Sequence, residues 1–153
     1  MKHYKDESNK IYAYESDGSQ DAFIKEGLVP ISDEDLAAMI APTTEQLLSQ
    51  LTAARKEQER QGVTINGIRY AGDPGNRQAL QEAIAFMEDA GLTEFESWKD
   101  SDNQFHADHP LIDVVDAYQA IGARRAELIA AEGEYAAQIT SGTFTDLSLV
   151  TWP

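Results

Sequence analysis

Val63-Thr64-Ile65-Asn66-Gly67-Ile68-Arg69-Tyr70 is the stretch on which the fold turns. Two β-prone triplets flank Asn66-Gly67. Both positions of a two-residue type I′ turn require positive φ, which Asn and Gly accept most readily. A β-hairpin is expected here, and both neighbours of that hairpin read as helices. Upstream, Thr43 and Gln46 form a capping box. The helix they open carries Leu47, Leu48, Leu51 and Ala54 on one face. Its second half, Arg55-Lys56-Glu57-Gln58-Glu59-Arg60, is wholly polar, so that end is expected to project into water or to bridge two lobes. Gly62 supplies the stop. Downstream, Gly72-Asp73-Pro74-Gly75 closes the sheet edge. A helix from about Asn76 to Asp89 follows, with Leu80, Ala83, Ile84 and Met87 at helical spacing and Gly91 as its stop.

Beyond Gly91, Thr93 to Trp98 reads as a strand with Phe95 and Trp98 turned inward. Asp100-Ser101-Asp102-Asn103 reads as a turn and Gln104-Phe105-His106 as the returning strand. Pro110 fits the first turn of a last, long helix, which runs to about Ile139 on Leu111, Val114, Val115, Tyr118, Ile121, Leu128, Ile129 and Tyr135. Gly122 and Gly133 weaken it. Ahead of residue 43, Ile11-Tyr12-Ala13-Tyr14 alternates as a strand, and Leu28-Val29 is a second extended piece between Gly27 and Pro30. Ser32 with Asp35 caps a short helix over Asp33 to Ile40, which ends before Pro42. The fold class is α+β: a small β-rich unit over 1–42, then a helix–hairpin–helix–strand–helix domain over 43–140. An apolar tail over 141–153 completes the chain.

Composition narrows the chemistry. The chain has 153 residues, no cysteine and a formal net charge of −15. A length of this order suits one domain, with or without a small appendage, and needs no metal or disulfide staple. Without cysteine there is no disulfide framework, thiol nucleophile or cysteine-ligated metal. The acidic balance argues against sequence-independent binding to nucleic acid or anionic lipid. No apolar run is long enough for a membrane span, and Met1-Lys2-His3-Tyr4-Lys5-Asp6 gives no signal-peptide pattern. Nine acids and one base, Lys99, lie between Glu88 and Asp116.

No catalytic constellation assembles from the residue order. His106, Asp108 and His109, near Asp100 and Asp102, are of metal-ligating types. Their spacing matches neither a helical zinc motif nor a calcium loop, so the expectation is a solvated acidic loop with Asp108 or His109 capping the last helix. Nor is there a nucleophile elbow or a phosphate loop. Pairs such as Glu94/Glu96 and Asp113/Asp116 are what a chain rich in acids shows by chance. Arg124-Arg125 reads as the source of an intrahelical pair, Arg124 with Glu127 or Arg125 with Glu132. The expectation is a protein that is not an enzyme and needs no cofactor or metal.

Two stretches carry a resemblance. The opening Tyr4-Lys5-Asp6, Asn9-Lys10-Ile11-Tyr12-Ala13-Tyr14 and Gly27-Leu28-Val29-Pro30-Ile31-Ser32-Asp33-Glu34-Asp35 resembles the N-termini of tail fibre assembly and accessory proteins of tailed bacteriophages. Ala54-Arg55-Lys56, the segment Gly62–Tyr70, Arg77-Gln78 and Trp98-Lys99 together resemble an uncharacterised domain common in the same phage proteins. The resemblance spans roughly residues 4–139. It implies a helper that binds a fibre polypeptide and promotes its folding or trimerisation. The helper would act in the host bacterial cytoplasm, or be retained in the virion tail. The alternatives are a permanent structural component of the tail or fibre, and an acidic mimic of DNA built on the Glu88–Asp116 block. The resemblance implies no catalytic residues. A tail fibre or other tail protein, itself trimeric, is the expected partner, with neither nucleic acid nor membrane involved. Tyr12, Tyr14, Ile68, Tyr70 and Trp152 are the candidate partner-binding residues. Ile65 and Trp98 are expected to be spent on the protein's own packing.

Overall fold

The computed structural model describes residues 1–153 and divides them into two compact units, Met1–Thr43 and Thr44–Pro153. The first holds a three-stranded antiparallel sheet of β1 (Lys2–Lys5), β2 (Ile11–Tyr14) and β3 (Val29–Ile31) in the order β2-β1-β3. β1 is an element the residue pattern did not announce, because Lys-His-Tyr-Lys has little β-propensity of its own. Pairing on both sides supplies it: Tyr4 faces Tyr12 on one flank and Pro30 on the other. Pro30 is tolerated because β3 is an edge strand and can spare the N–H. The helix α1 (Asp33–Ile40) starts where Ser32 Oγ accepts the Asp35 N–H at 3.0 Å. No residue of this unit is buried, and Phe23, Val29 and Ile40 are exposed.

The second unit is built around one long helix. Its elements are α2 (Thr44–Gln61), β4 (Val63–Ile65), β5 (Ile68–Tyr70), α3 (Pro74–Asp89), β6 (Glu94–Lys99), β7 (Phe105–Pro110) and α4 (Leu111–Thr140). The β4–β5 hairpin forms as its turn residues require, with Asn66 at φ 50° and Gly67 at φ 82°. α2, α3 and β4 all pack on α4. One core cluster joins Tyr70, Leu80, Val114, Ala117 and Ile121, with Ile65, Ile68, Phe95 and Trp98 against it. A second joins Leu47, Leu51 and Ile139 and is covered by Phe144, Leu147, Val150 and Trp152. The tail after residue 140 therefore belongs to this unit and is not a separate segment. Its apolar side chains close the end of the α2–α4 pair.

Two glycines let the end of α2 approach the exit of the hairpin. A Cβ on Gly62, at φ 71°, would lie 1.8 Å from the Tyr70 carbonyl oxygen, and one on Gly72 would lie 2.1 Å from that of Glu59. The hairpin is tied down elsewhere by side chains. Asn66 Nδ2 donates to Asp113 on α4 at 3.0 Å, and Arg69 Nε donates to Asp102 at 2.8 Å in the β6–β7 turn.

The β6–β7 ribbon is longer than its residue pattern suggests, and β7 runs directly into α4. Pro110 ends the strand and precedes the helix rather than standing in its first turn. No side chain caps that helix, so neither Asp108 nor His109 does so. The ladder pairs Phe95 with His109 and Ser97 with Ala107 but skips Glu96 and Asp108, where Asp108 takes φ 49°. That irregularity shifts the inward/outward alternation by one residue in both strands. Phe95 and Trp98, three apart, then face inward together, as do His106 and His109.

Candidate functional site

The histidines sit on that inward face. His109 is 2% exposed, stacks on the Trp98 ring at 5.5 Å, and its Nε2 lies 2.6 Å from the Tyr70 hydroxyl. Burial pushes the Tyr70 phenol up to about 12 and holds the His109 imidazole below its ordinary value. The pair is thus a neutral hydrogen bond inside an aromatic core. His106 Nε2 lies 2.8 Å from Asp100 Oδ2, and Asp100 Oδ1 also accepts the N–H groups of Asp102 and Gln104 at 2.8 Å. These bonds lower the Asp100 pKa, the His106 contact most of all. Of the stretch expected to be a solvated loop, residues 101–103 form a turn, while Asp108 and His109 lie in β7, where His106 and His109 face inward and Asp108 stays exposed. No group of three or more ligand-type side chains that could hold a metal ion forms there or anywhere in the chain.

The other candidate residues fall in three places. Tyr70, 1% exposed, is internal to the core and has no surface to offer a partner; Ile68 packs against the same cluster. Trp152 packs on the Leu47–Leu51–Ile139 cluster and meets the Tyr135 ring edge-on at 6.5 Å. Hydrophobic burial outweighs display at all three, because the small second unit needs each of them to close its core. Tyr12 and Tyr14 remain half-buried in the first unit. Tyr14 meets Tyr4 edge-to-face at 5.6 Å. The Tyr12 hydroxyl donates to Asp6 at 3.0 Å, and Lys10 and Lys25 stand over its ring at 5.5 and 5.2 Å. Its ring lines an open cleft of about 460 Å³ with Asp6, Lys25 and Leu28.

A feature the residue order did not announce lies where α2, α3 and α4 meet. Glu59, on the helix end expected to project into water, is 8% exposed. Three guanidinium groups converge on it. Arg55 pairs with Oε1 from one turn earlier, Arg125 Nε reaches Oε1 from α4 at 3.4 Å, and Arg77 Nη1 reaches Oε2 from α3 at 3.5 Å. Arg55 also donates to Glu132 at 2.5 Å, and Glu132 accepts the Thr52 hydroxyl as well. The intrahelical pairs expected of Arg124 and Arg125 do not form. Arg125 takes Glu59, Arg124 Nη1 donates to the Pro153 oxygen at 3.2 Å, and Glu132 goes to α2. A side chain pairs with the nearest opposite charge in space, and helix packing brings Glu59 closer to Arg125 than its own helix brings Glu132.

Two surface clefts open from this cluster and share Pro74, Arg77 and Arg125. One, of about 400 Å³, is lined by Arg55, Lys56, Arg60, Arg77 and Arg125 against the carboxylates of Glu59 and Asp73. The Asp73 side chain is committed to capping α3. The other is an open groove of about 750 Å³ between α3 and α4, lined besides by Gln78, Gln81, Glu82, Tyr118, Gln119 and Gly122. Gln78 donates to Glu82 there at 2.8 Å.

The acidic block from Glu88 to Asp116 is spread over the end of α3, the β6–β7 ribbon and the start of α4. Asp100, Asp102 and Asp113 within it are engaged by His106, Arg69 and Asn66. No helix is long and apolar enough to cross a membrane.

Among curated proteins and among solved structures alike, none matches the chain. Residues 42–150 match the model of a domain of unknown function, DUF4376. That range takes in all of α2 through α4 and most of the docked tail, and the chain belongs to this family.

Proposed function

We propose that the protein is a bacteriophage tail fibre assembly factor that binds the fibre polypeptide and promotes its folding or trimerisation. The resemblance of residues 4–139 to phage assembly proteins supplies the partner. The observation that carries a binding role is the first unit. It is a sheet without a buried side chain, with Phe23, Val29 and Ile40 exposed and with unpaired outer edges on β2 and β3. Such a unit is short of apolar burial by itself, and a partner strand added at an edge supplies both backbone bonds and cover. Tyr12 and Tyr14, on edge strand β2, are the side chains such a strand meets first. The remaining net charge keeps the helper and its client soluble while the client is incomplete.

The test is co-expression of a tail fibre polypeptide with and without this protein, with affinity purification through a tag on this protein. Trimeric, soluble fibre that depends on the protein is the expected result. A complex that survives purification adds retention in the particle. Fibre that trimerises equally well alone, with nothing co-purifying, overturns the reading.

A further inference from the structure

The two outer edges of the N-terminal sheet are not equivalent, and its hydrogen bonds tell them apart. The Asp6 N–H donates to the Lys10 carbonyl at 3.1 Å, and the Lys10 N–H donates to Asp6 Oδ1 at 3.0 Å. Lys10 therefore turns its main-chain groups toward the β1 side. Alternation along an antiparallel ladder then turns Tyr12 and Tyr14 toward β1, and Ile11 and Ala13 away from it. Glu15 keeps the same phase: its outward N–H is taken by the Gln20 side chain at 2.9 Å, which closes the edge at that end. The N–H and C=O groups of Ile11 and Ala13 thus face outward, where the sheet has no further strand.

The same alternation assigns the other edge. On β1, Lys2 and Tyr4 serve β2, so His3 and Lys5 serve β3, where they face Ile31 and Val29. Pro30, opposite Tyr4, is then the residue of β3 whose main chain turns outward. It has no N–H to give. A strand laid on β3 would meet one carbonyl and a pyrrolidine ring, and proline in that place is a means of closing a sheet edge.

We infer that β2, and not β3, is the edge that receives the partner, as a short extended segment hydrogen-bonded to Ile11 and Ala13. This rests on the binding role proposed above and deepens it. The segment's side chains lie beside Tyr12 and Tyr14 on one face and beside Ile11 and Ala13 on the other. Apolar and β-branched residues suit both faces. A second copy of this chain is the poorer occupant. Residues 1–42 hold four basic and nine acidic groups, a net of −5, so two such units repel. An edge about 13 Å long also buries far less than the roughly 800 Å² a side that holds a dimer. A different polypeptide, less acidic and touching the protein beyond this edge, meets neither obstacle.

The test has two arms. In the first, amide hydrogen exchange of the free full chain is read by NMR. The Ile11 and Ala13 amides are expected to exchange about tenfold or more faster than that of Tyr12, which is bonded to β1. Equal protection overturns the inference with no partner present. In the second arm, the tail fibre polypeptide is co-expressed and captured through the tag. Exchange at Ile11 and Ala13 is expected to slow in the complex. Ala13→Pro deletes one outward N–H and leaves the bonds to β1 in place, with unchanged amide shifts at Tyr4 and Tyr12 as the check. It should weaken capture about tenfold, the scale of one hydrogen bond lost. Pro30→Ala, which returns an N–H to the β3 edge, should leave capture unchanged. Wild-type capture by folded Ala13→Pro overturns the inference and leaves the fibre role standing, as does unchanged exchange at Ile11 and Ala13 in the complex. Capture strengthened by Pro30→Ala overturns it in favour of β3. The exchange readout uses the wild-type chain, so it decides even where the proline variant fails to fold. Fibre that the wild-type chain does not capture at all removes the fibre role, and the inference with it.

Discussion

His109 shows how one side chain can make stability depend on pH. Burial favours its neutral form, so its folded-state pKa lies below the unfolded value of about 6.5. For a group depressed in this way, the stabilisation is fully present above the unfolded pKa and is lost as pH falls through the folded one. The urea midpoint of the protein is therefore expected to fall as pH drops below about 6.5. His109→Phe, which keeps the stack on Trp98, should flatten that slope. An unchanged slope in the variant would remove His109 as its source. Glu59 works through charge rather than titration. Glu59→Gln strands Arg55, Arg77 and Arg125 without their common carboxylate, and loss of one partner of a buried pair costs about 3 kcal/mol. Equilibrium unfolding reads this directly. Replacing Arg125 instead leaves Glu59 with two partners and should cost far less.

At the scale of elements, the β6–β7 ribbon depends on one irregular pair. Asp108 in the left-handed region lets Phe95, Trp98, His106 and His109 share a face. Asp tolerates that conformation, and a β-branched residue does not. Asp108→Val should destabilise the protein by about 1–2 kcal/mol, measured by urea unfolding, whereas Asp108→Gly should be neutral or better. The α4 helix offers the reverse case. Gly133 has open space and an ordinary helical backbone, so Gly133→Ala should raise stability by about 0.5–1 kcal/mol. A fall in Tm would mean that Gly133 serves a contact outside this chain.

The two units differ in how they reach stability. Thr44–Pro153 has two core clusters on one long helix, and Met1–Thr43 has none. Amide exchange should follow that difference, with β1 amides exchanging well before those of α4 around Val114 to Ile121. The docked tail contributes to the second unit. Trp152→Ala removes a half-buried indole from the Leu47–Leu51–Ile139 cluster and should cost about 2 kcal/mol. A smaller loss in calorimetry would show the tail to be dispensable for packing.

Local chemistry alone determined the elements whose signals are short-range. Asn66-Gly67 demanded a hairpin because few other dipeptides accept two positive φ angles. Ser32 capped a helix, and Gly62 and Gly91 stopped two others, because those groups act on backbone within one turn; the cap at Asp73, which starts α3 at Pro74 and not at Asn76, was read only as a turn. The α+β class followed from their order. What depended on distant partners was not legible. β1 exists because two strands flank it, and the ribbon's phase shift arises from one pair of residues on different strands. Glu59 is buried because Arg77 and Arg125 arrive from other helices, although its own neighbours in the chain are all polar. The candidate tyrosines and tryptophan were told apart only by packing. Tyr70 went fully inward and Trp152 docked half-buried on a core cluster, while Tyr12 and Tyr14 are half-buried in a unit that formed no core. Burial and charge pairing are settled by separation in space, and separation in space is what the tertiary structure supplies.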